Sequence, residues 1–170
     1  MEDDDNNKYK YCVIDDKRIR VSIDNILDVW IWREYKSKPD DWLKLNPSIC
    51  TNVRDYQYYK IHIKPKNYTH SRVIYKCFNN NWDITDVSKN NFVDHINNNP
   101  LDNRIENLRI LTHQQNCFNR NVRGTHFRKD SNNWKAKICI NGKNITKSGF
   151  KTEEEAHQHY LILKQKYHIM

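Results

Sequence analysis

The sequence predicts an α+β fold in which small antiparallel sheets carry short helices. Three observations predict it. Trp134, Ala136, Ile138 and Ile140 alternate with Lys135, Lys137 and Cys139, the two-residue period of a half-buried strand, and Asn141-Gly142 follows as a hairpin turn. Thr112 with Gln115, and Thr152 with Glu155, have the capping-box spacing that starts a helix. Finally, 3 glycines in 170 residues, with no G-x-x-x-x-G-K or G-x-G-x-x-G, leave no phosphate loop of the parallel α/β kind. No nucleotide cofactor is expected.

Taken in order, residues 1–7 are an acidic, Asn-rich tail expected to be disordered. Between Tyr9 and Ile23, two β-favouring runs flank Asp15-Asp16 as in a hairpin. Ile26 to Trp32 reads as a short helix or a third strand, after which Pro39-Asp40-Asp41 and Asn46-Pro47 break the chain into loops. Tyr58 to Lys64 alternates as a strand, Ser71 to Phe78 is an apolar run compatible with helix or strand, and residues 79–91 are polar and loop-like. A short strand ends at Val93-Asp94-His95, a polar loop runs from Asn97 to Glu106, and a second strand follows at Leu108 to Leu111. Thr112 then caps a helix that carries Asn116 in its first turn. Beyond it, Gly124 to Arg128 is a first strand, residues 134–140 a second and Asn144 to Ser148 a third. A final helix lays Ala156, Tyr160, Leu163 and Tyr167 on the sheet's apolar face, to which parity also assigns Trp134. The expected organisation is an N-terminal region 1–55 of unassigned role, a central domain 56–122 and a C-terminal module 123–170.

Charge narrows the partner. Lys and Arg number 29 against 21 Asp and Glu, a net charge of +8, which favours polyanions and nucleic acid first. Ten Tyr, 5 Trp and 5 Phe supply buriable surface that disordered chains lack. No apolar run approaches the ~20 residues that span a bilayer, and the N-terminus is acidic where a signal peptide is basic and then apolar, so a soluble, intracellular protein without a membrane partner is expected. Five scattered cysteines with no C-x-x-C pair read as reduced.

The chemistry concentrates between Asn91 and Asn121. Asp94 and His95 are adjacent, Asn107 follows Asp94 by 13 residues and Asn116 follows Asn107 by 9. Phosphodiester hydrolysis needs a base to deprotonate water and a cation to hold the phosphate oxygen and the leaving 3′ oxygen. Mg²⁺ takes few protein oxygens and keeps waters and phosphate oxygens as the rest, which suits one carboxylate and one amide oxygen.

The text VDHINNNPLDNRIENLRILTHQQN resembles the HNH endonucleases of the phage and homing type, over roughly residues 56 to 121. The resemblance implies a ββα-metal nuclease core. In it His95 is the general base, Asp94 and Asn116 bind one divalent cation (Mg²⁺, with Mn²⁺ able to substitute), and Asn107 holds the loop and positions the base. Ser71 stands where relatives often carry His before the Arg. The segment RGTHFRKDSNNWKAKICINGKNITKSGFKTEEEAHQHY resembles the Apetala-type DNA-binding domain, implying a three-stranded sheet plus one helix that meets duplex DNA through His126, Arg128, Lys135 and Lys137. The expected function is therefore a divalent-metal-dependent DNA endonuclease, in a homing or mobile-element setting, leaving 5′-phosphate and 3′-hydroxyl ends. A non-catalytic DNA-binding regulator on a retained nuclease scaffold is the alternative, and an RNA-directed nuclease a third reading. Oligomeric state is left open.

Overall fold

In a computed structural model of the chain, alternating aliphatic and aromatic residues build the first sheet. The structure describes residues 7–53, 55–88, 90–119, 122–140 and 142–167, the side chains of 117–119 excepted. Its architecture is α+β, with small antiparallel sheets and few helices, as predicted. It divides into two units, residues 1–110 and 111–170.

In the first unit, Tyr9–Ile14 (β1), Lys17–Ser22 (β2), Val29–Arg33 (β3) and Asp41–Leu45 (β4) pair antiparallel in chain order. The β1–β2 turn is closed by Asp15 and Asp16 at φ 47° and 59°, left-handed values that a two-residue hairpin loop requires and Asp tolerates. Ile26 to Trp32, open between helix and strand in the sequence, is strand from Val29 onward. The expected loop after Pro39 instead holds β4, because Trp42 pairs with Trp32 and Leu45 with Val29 while the prolines fall outside the strands.

A second sheet comprises Ser48–Thr51 (β5), Gln57–Ile63 (β6) and Lys66–Thr69 (β7). It leads into the helix His70–Phe78 (α1). There His70, Val73, Ile74 and Cys77 are buried at i, i+3, i+4 and i+7, a helical stripe that resolves the ambiguity of this run. One core joins Ile19, Val21, Val29 and Ile31 of the first sheet with Ile61 and Ile63 of the second and Val73 and Ile74 of the helix, all at most 1% exposed. Cys12 of β1 and Cys77 of α1 form a disulfide with Cα atoms 4.6 Å apart. This corrects the expectation that every cysteine is reduced: separation in sequence says nothing about two positions that face each other across a core. Asp15 accepts hydrogen bonds from Tyr68 Oη at 2.6 Å and Lys66 Nζ at 3.0 Å, tying the β1–β2 turn to β7. Burial, then the Asp15 contact, pushes the Tyr68 hydroxyl up to about 12. The unit ends with the paired strands Phe92–His95 (β8) and Leu108–Leu111 (β9), the second unit taking over at Leu111.

In the second unit, the helix His113–Asn119 (α2) opens with the predicted capping box: Gln115 N–H donates to Thr112 Oγ1 at 3.1 Å and Thr112 N–H to Gln115 Oε1 at 2.9 Å. Thr125–Arg128 (β10), Asn133–Ile140 (β11) and Lys143–Phe150 (β12) form the three-stranded sheet. Glu153–Tyr167 (α3) packs on it, capped by Thr152 and Glu155. Ala136, Ile138 and Tyr160 form its small core. Asn141 of the predicted turn lies outside the described residues, and Gly142 is at φ 76°. Trp134 is only half-buried: the register shifts between Trp134 and Lys135, and its indole packs on Phe127, 5.3 Å between ring centroids, outside the core to which parity assigns it.

Gly124 sits at φ 65°, and a Cβ there would overlap the Tyr160 ring. Gly124→Ala is therefore expected to cost about 3 kcal/mol, from overpacking and a left-handed non-glycine residue together, read as a lowered melting temperature. An unchanged melting temperature would contradict this packing.

Candidate active site

β8 stops at His95 because the next residues turn away into a loop stitched by asparagine side chains. Asn98 N–H donates to the His95 carbonyl at 2.9 Å, with Asn98 at φ 59°. Asn107, the last residue of a 3-10 turn at Ile105–Asn107, straps this loop. Its Oδ1 accepts the Asn97 N–H at 3.0 Å, and its Nδ2 donates to Asn97 Oδ1 at 2.9 Å and to the Asp102 carbonyl at 2.7 Å. Ile96 N–H donates to the Asn107 carbonyl at 2.9 Å. Buried amides must be paired, and this one satisfies backbone groups on both sides of the loop. Asp102 is gripped by Arg104 through two bonds of 2.8 Å, and that pairing holds its carboxyl well below the usual carboxylate range.

Adjacent strand residues point to opposite faces, and Asp94 and His95 take different partners accordingly. Asp94, 8% exposed, accepts from Arg109 Nε of β9 at 3.0 Å. His95 Nε2 lies 2.8 Å from Oδ1 of Asn103, and Asn103 Nδ2 lies 3.1 Å from Nδ1 of His70 at the start of α1. Asn103 is 1% exposed and His70 0%.

That chain fixes protonation by elimination. Burial lowers His70 to about 4, so its ring is neutral near pH 7. Its Nε2 makes no hydrogen bond of good geometry, and the Ile26 backbone, which counters the effect of burial on the ring, is the acceptor we assign to a proton there. Nδ1 is then an acceptor, and the Asn103 amide must present its NH₂ to it. Oδ1 is thereby turned to His95, whose Nε2 carries the hydrogen that it accepts. His95 and Asn103 line a cavity of about 290 Å³ in the first unit, with Tyr56, Tyr59 and Pro100 among its walls.

Of the sequence-predicted residues, Asp94, His95 and Asn107 are thus brought together on β8, β9 and their loop. Asn116 lies in the first turn of α2 in the second unit, half-buried, its N–H bonded to the Thr112 carbonyl at 2.9 Å. His126, Arg128, Lys135 and Lys137 share the sheet face opposite α3, with His126 paired to Lys135 and Arg128 to Asn133. Arg128 also meets Asp130 at 2.5 Å. Sequence reasoning missed Asn103, His70 and Arg109. Ser71, the departure from the family pattern, is buried, and its hydroxyl donates to Thr69 Oγ1 at 3.4 Å.

Among the described residues, no three His, Cys, Asp or Glu side chains cluster as a zinc-type centre would. In the first unit the Asp94 carboxylate is a hard oxygen donor of the kind that a cation such as Mg²⁺ takes.

The end of the β8–β9 hairpin thus carries a carboxylate next in sequence to a histidine that a buried amide holds. Residues 86–117 match the family model of the HNH endonucleases. The chain is also similar to an uncharacterized HNH endonuclease of Acanthamoeba polyphaga mimivirus, 40% identical over 77 residues, which are 44% of this chain and 41% of the relative. The chain thus spans about two fifths of that relative's length. No solved structure matches. Both matches support a nuclease in general.

The neutral, buried His70 has a consequence for stability. Unfolded, it titrates near 6.5; folded, near 4. A depressed histidine contributes stability that is full above pH 6.5 and lost as pH falls through 6.5 towards 4, about 3 kcal/mol in all. Melting temperature should fall across that window in the intact protein and fall less in His70→Asn. A melting temperature independent of pH between 4 and 7 would contradict a neutral, buried His70.

Proposed function

We propose that the chain is a divalent-metal-dependent DNA endonuclease of HNH type, its β8, β9 and α2 serving as the ββα-metal element, in a homing or mobile-element setting. The observation that carries this reading is the coincidence of the matched segment 86–117 with the hydrogen-bonded chain that holds His95. His95 takes a proton from water as the water attacks phosphorus in line with the 3′ oxygen. Asp94 and Asn116 would hold Mg²⁺, with Mn²⁺ able to substitute, and when bound the ion supplies charge stabilisation for the phosphate oxygen and the departing 3′ oxygen. Arg109 orients the Asp94 carboxylate through one oxygen. Asn107 keeps the loop in register, and Asn103 is a positioning residue that fixes which nitrogen of His95 is basic. The products are 5′-phosphate and 3′-hydroxyl ends.

Duplex DNA is the proposed substrate, met by the outward sheet face of the second unit through His126, Arg128, Lys135 and Lys137. Phosphate contacts by such side chains set affinity and orientation, and a β-surface can reach base edges in the major groove.

Plasmid cleavage tests the reading. Mg²⁺-dependent nicking or linearisation is expected of the intact protein, with no cleavage by His95→Ala at equal DNA occupancy. Asn103→Leu is expected to lower kcat about 100-fold with DNA affinity unchanged, because a base in the wrong tautomer forfeits most of a general base's contribution. Cleavage that persists in His95→Ala would overturn the base. A full rate in Asn103→Leu beside an inactive His95→Ala would overturn the positioning role only.

A further inference from the structure

The first sheet has two unlike faces. One is the aliphatic core of the first unit; the other is built from cations and aromatic rings. Register places Tyr11, Arg20, Trp30 and Lys44 in one row across the four strands, and Arg18 and Trp42 in the next, where Trp42 pairs with Trp32. The core-facing neighbours Ile19, Val21, Val29 and Ile31 are at most 1% exposed. The rings of Tyr11, Trp30, Trp32 and Trp42 are half-buried, and Arg18 and Lys44 are exposed.

Cations lie over the rings. The Arg20 guanidinium is 4.6 Å from the Trp42 centroid and 5.1 Å from that of Trp30. The Arg18 guanidinium is 5.1 Å from Trp32. The outward residues of the four strands include no acid: Asp41 alternates to the other face with Leu43, and Asp28, which meets Lys44 at 2.6 Å, comes from the preceding loop. A solvent-facing sheet surface whose four strands put three indoles, two guanidiniums and no carboxylate on it carries the two chemistries that recognise unpaired nucleotides, stacking for bases and positive charge for phosphates.

We propose that this face binds single-stranded nucleic acid. Width decides against duplex: four strands about 4.8 Å apart span roughly 14 Å before side chains are counted, whereas the major groove is about 12 Å wide and takes a helix or a narrow ribbon. Paired bases in a duplex offer this face only phosphates, which leaves the tryptophans without a role. Unpaired bases stack on indoles or guanidiniums while the backbone follows the exposed Arg18. The inference does not depend on the nuclease reading, since binding is measured without cleavage.

The test uses the full chain in EDTA with a fluorescein-labelled 12-nucleotide oligo(dT), followed by anisotropy and by tryptophan fluorescence. Trp30, Trp32 and Trp42 make up three of the chain's 5 tryptophans, so bound oligonucleotide should quench most of the signal. Arg18→Glu and Trp32→Ala are each expected to weaken oligo(dT) binding about tenfold, the loss of roughly one stacked base or reversed charge. Binding of a 12-base-pair duplex should change less than twofold. Arg18 is exposed, so Arg18→Glu should melt only about 2–4 °C below the intact protein, the loss of its contact with Trp32, which separates lost binding from lost folding. Unchanged oligo(dT) affinity in both variants overturns the proposal. So does an equal loss on duplex, which would make the face a plain cationic patch, or conversion of a dimer to a monomer by Arg18→Glu with oligo(dT) affinity intact.

Discussion

The amide of Asn103 is the interaction on which the site depends. It is buried, it has two acceptor lone pairs and two donors to satisfy, and it finds a histidine on each side. Because His70 is kept neutral by burial, the amide has one satisfactory orientation, and that orientation is passed to His95 at the surface of the cavity. A histidine placed by strand geometry alone would rotate and exchange tautomers. Here α1, the loop after β8 and the end of β8 are locked to one another by two hydrogen bonds through a single side chain.

The rest of the first unit serves to make that lock rigid. The two sheets and α1 share one aliphatic core, so His70 cannot shift without disturbing Val73 and Ile74 beside it. Asn107 does for the loop backbone what Asn103 does for the side chains: it replaces water at backbone groups that the turn leaves unpaired. The second unit is built on another plan, a thin sheet covered on one side by α3, with a basic outer face. Rigid, buried amides suit proton transfer, and an open, cationic β-surface suits a polyanion.

Legibility in the sequence followed the range of the interactions. Capping boxes at Thr112 and Thr152, the β1–β2 turn and the alternation of β11 are set by residues a few positions apart, and they could be read directly. Asp94, His95 and Asn107 were singled out by their spacing, and β8 and the turn before β9 carry all three. Asn103 was not: eight residues from His95 in a polar loop, it differs from its asparagine neighbours only by where the fold returns it. His70 was hidden for the same reason, since its partner lies 33 positions away. The face made by Arg18, Arg20 and the tryptophans depends on four strands in register, and β4 was masked by the flanking prolines. The Cys12–Cys77 pair needed the packing of α1 on β1.

The central claim is that this network, and not strand geometry, sets the tautomer of His95. Long-range ¹H–¹⁵N NMR of histidine-labelled protein near pH 8 tests it directly. The account predicts a protonated Nε2 with an unprotonated, basic Nδ1 for His95, and a shift towards a tautomer mixture in Asn103→Leu while the remaining histidines keep their signals, His70 excepted. A predominantly Nδ1-protonated His95 in the intact protein, or a ring whose signals are the same in Asn103→Leu, would contradict it.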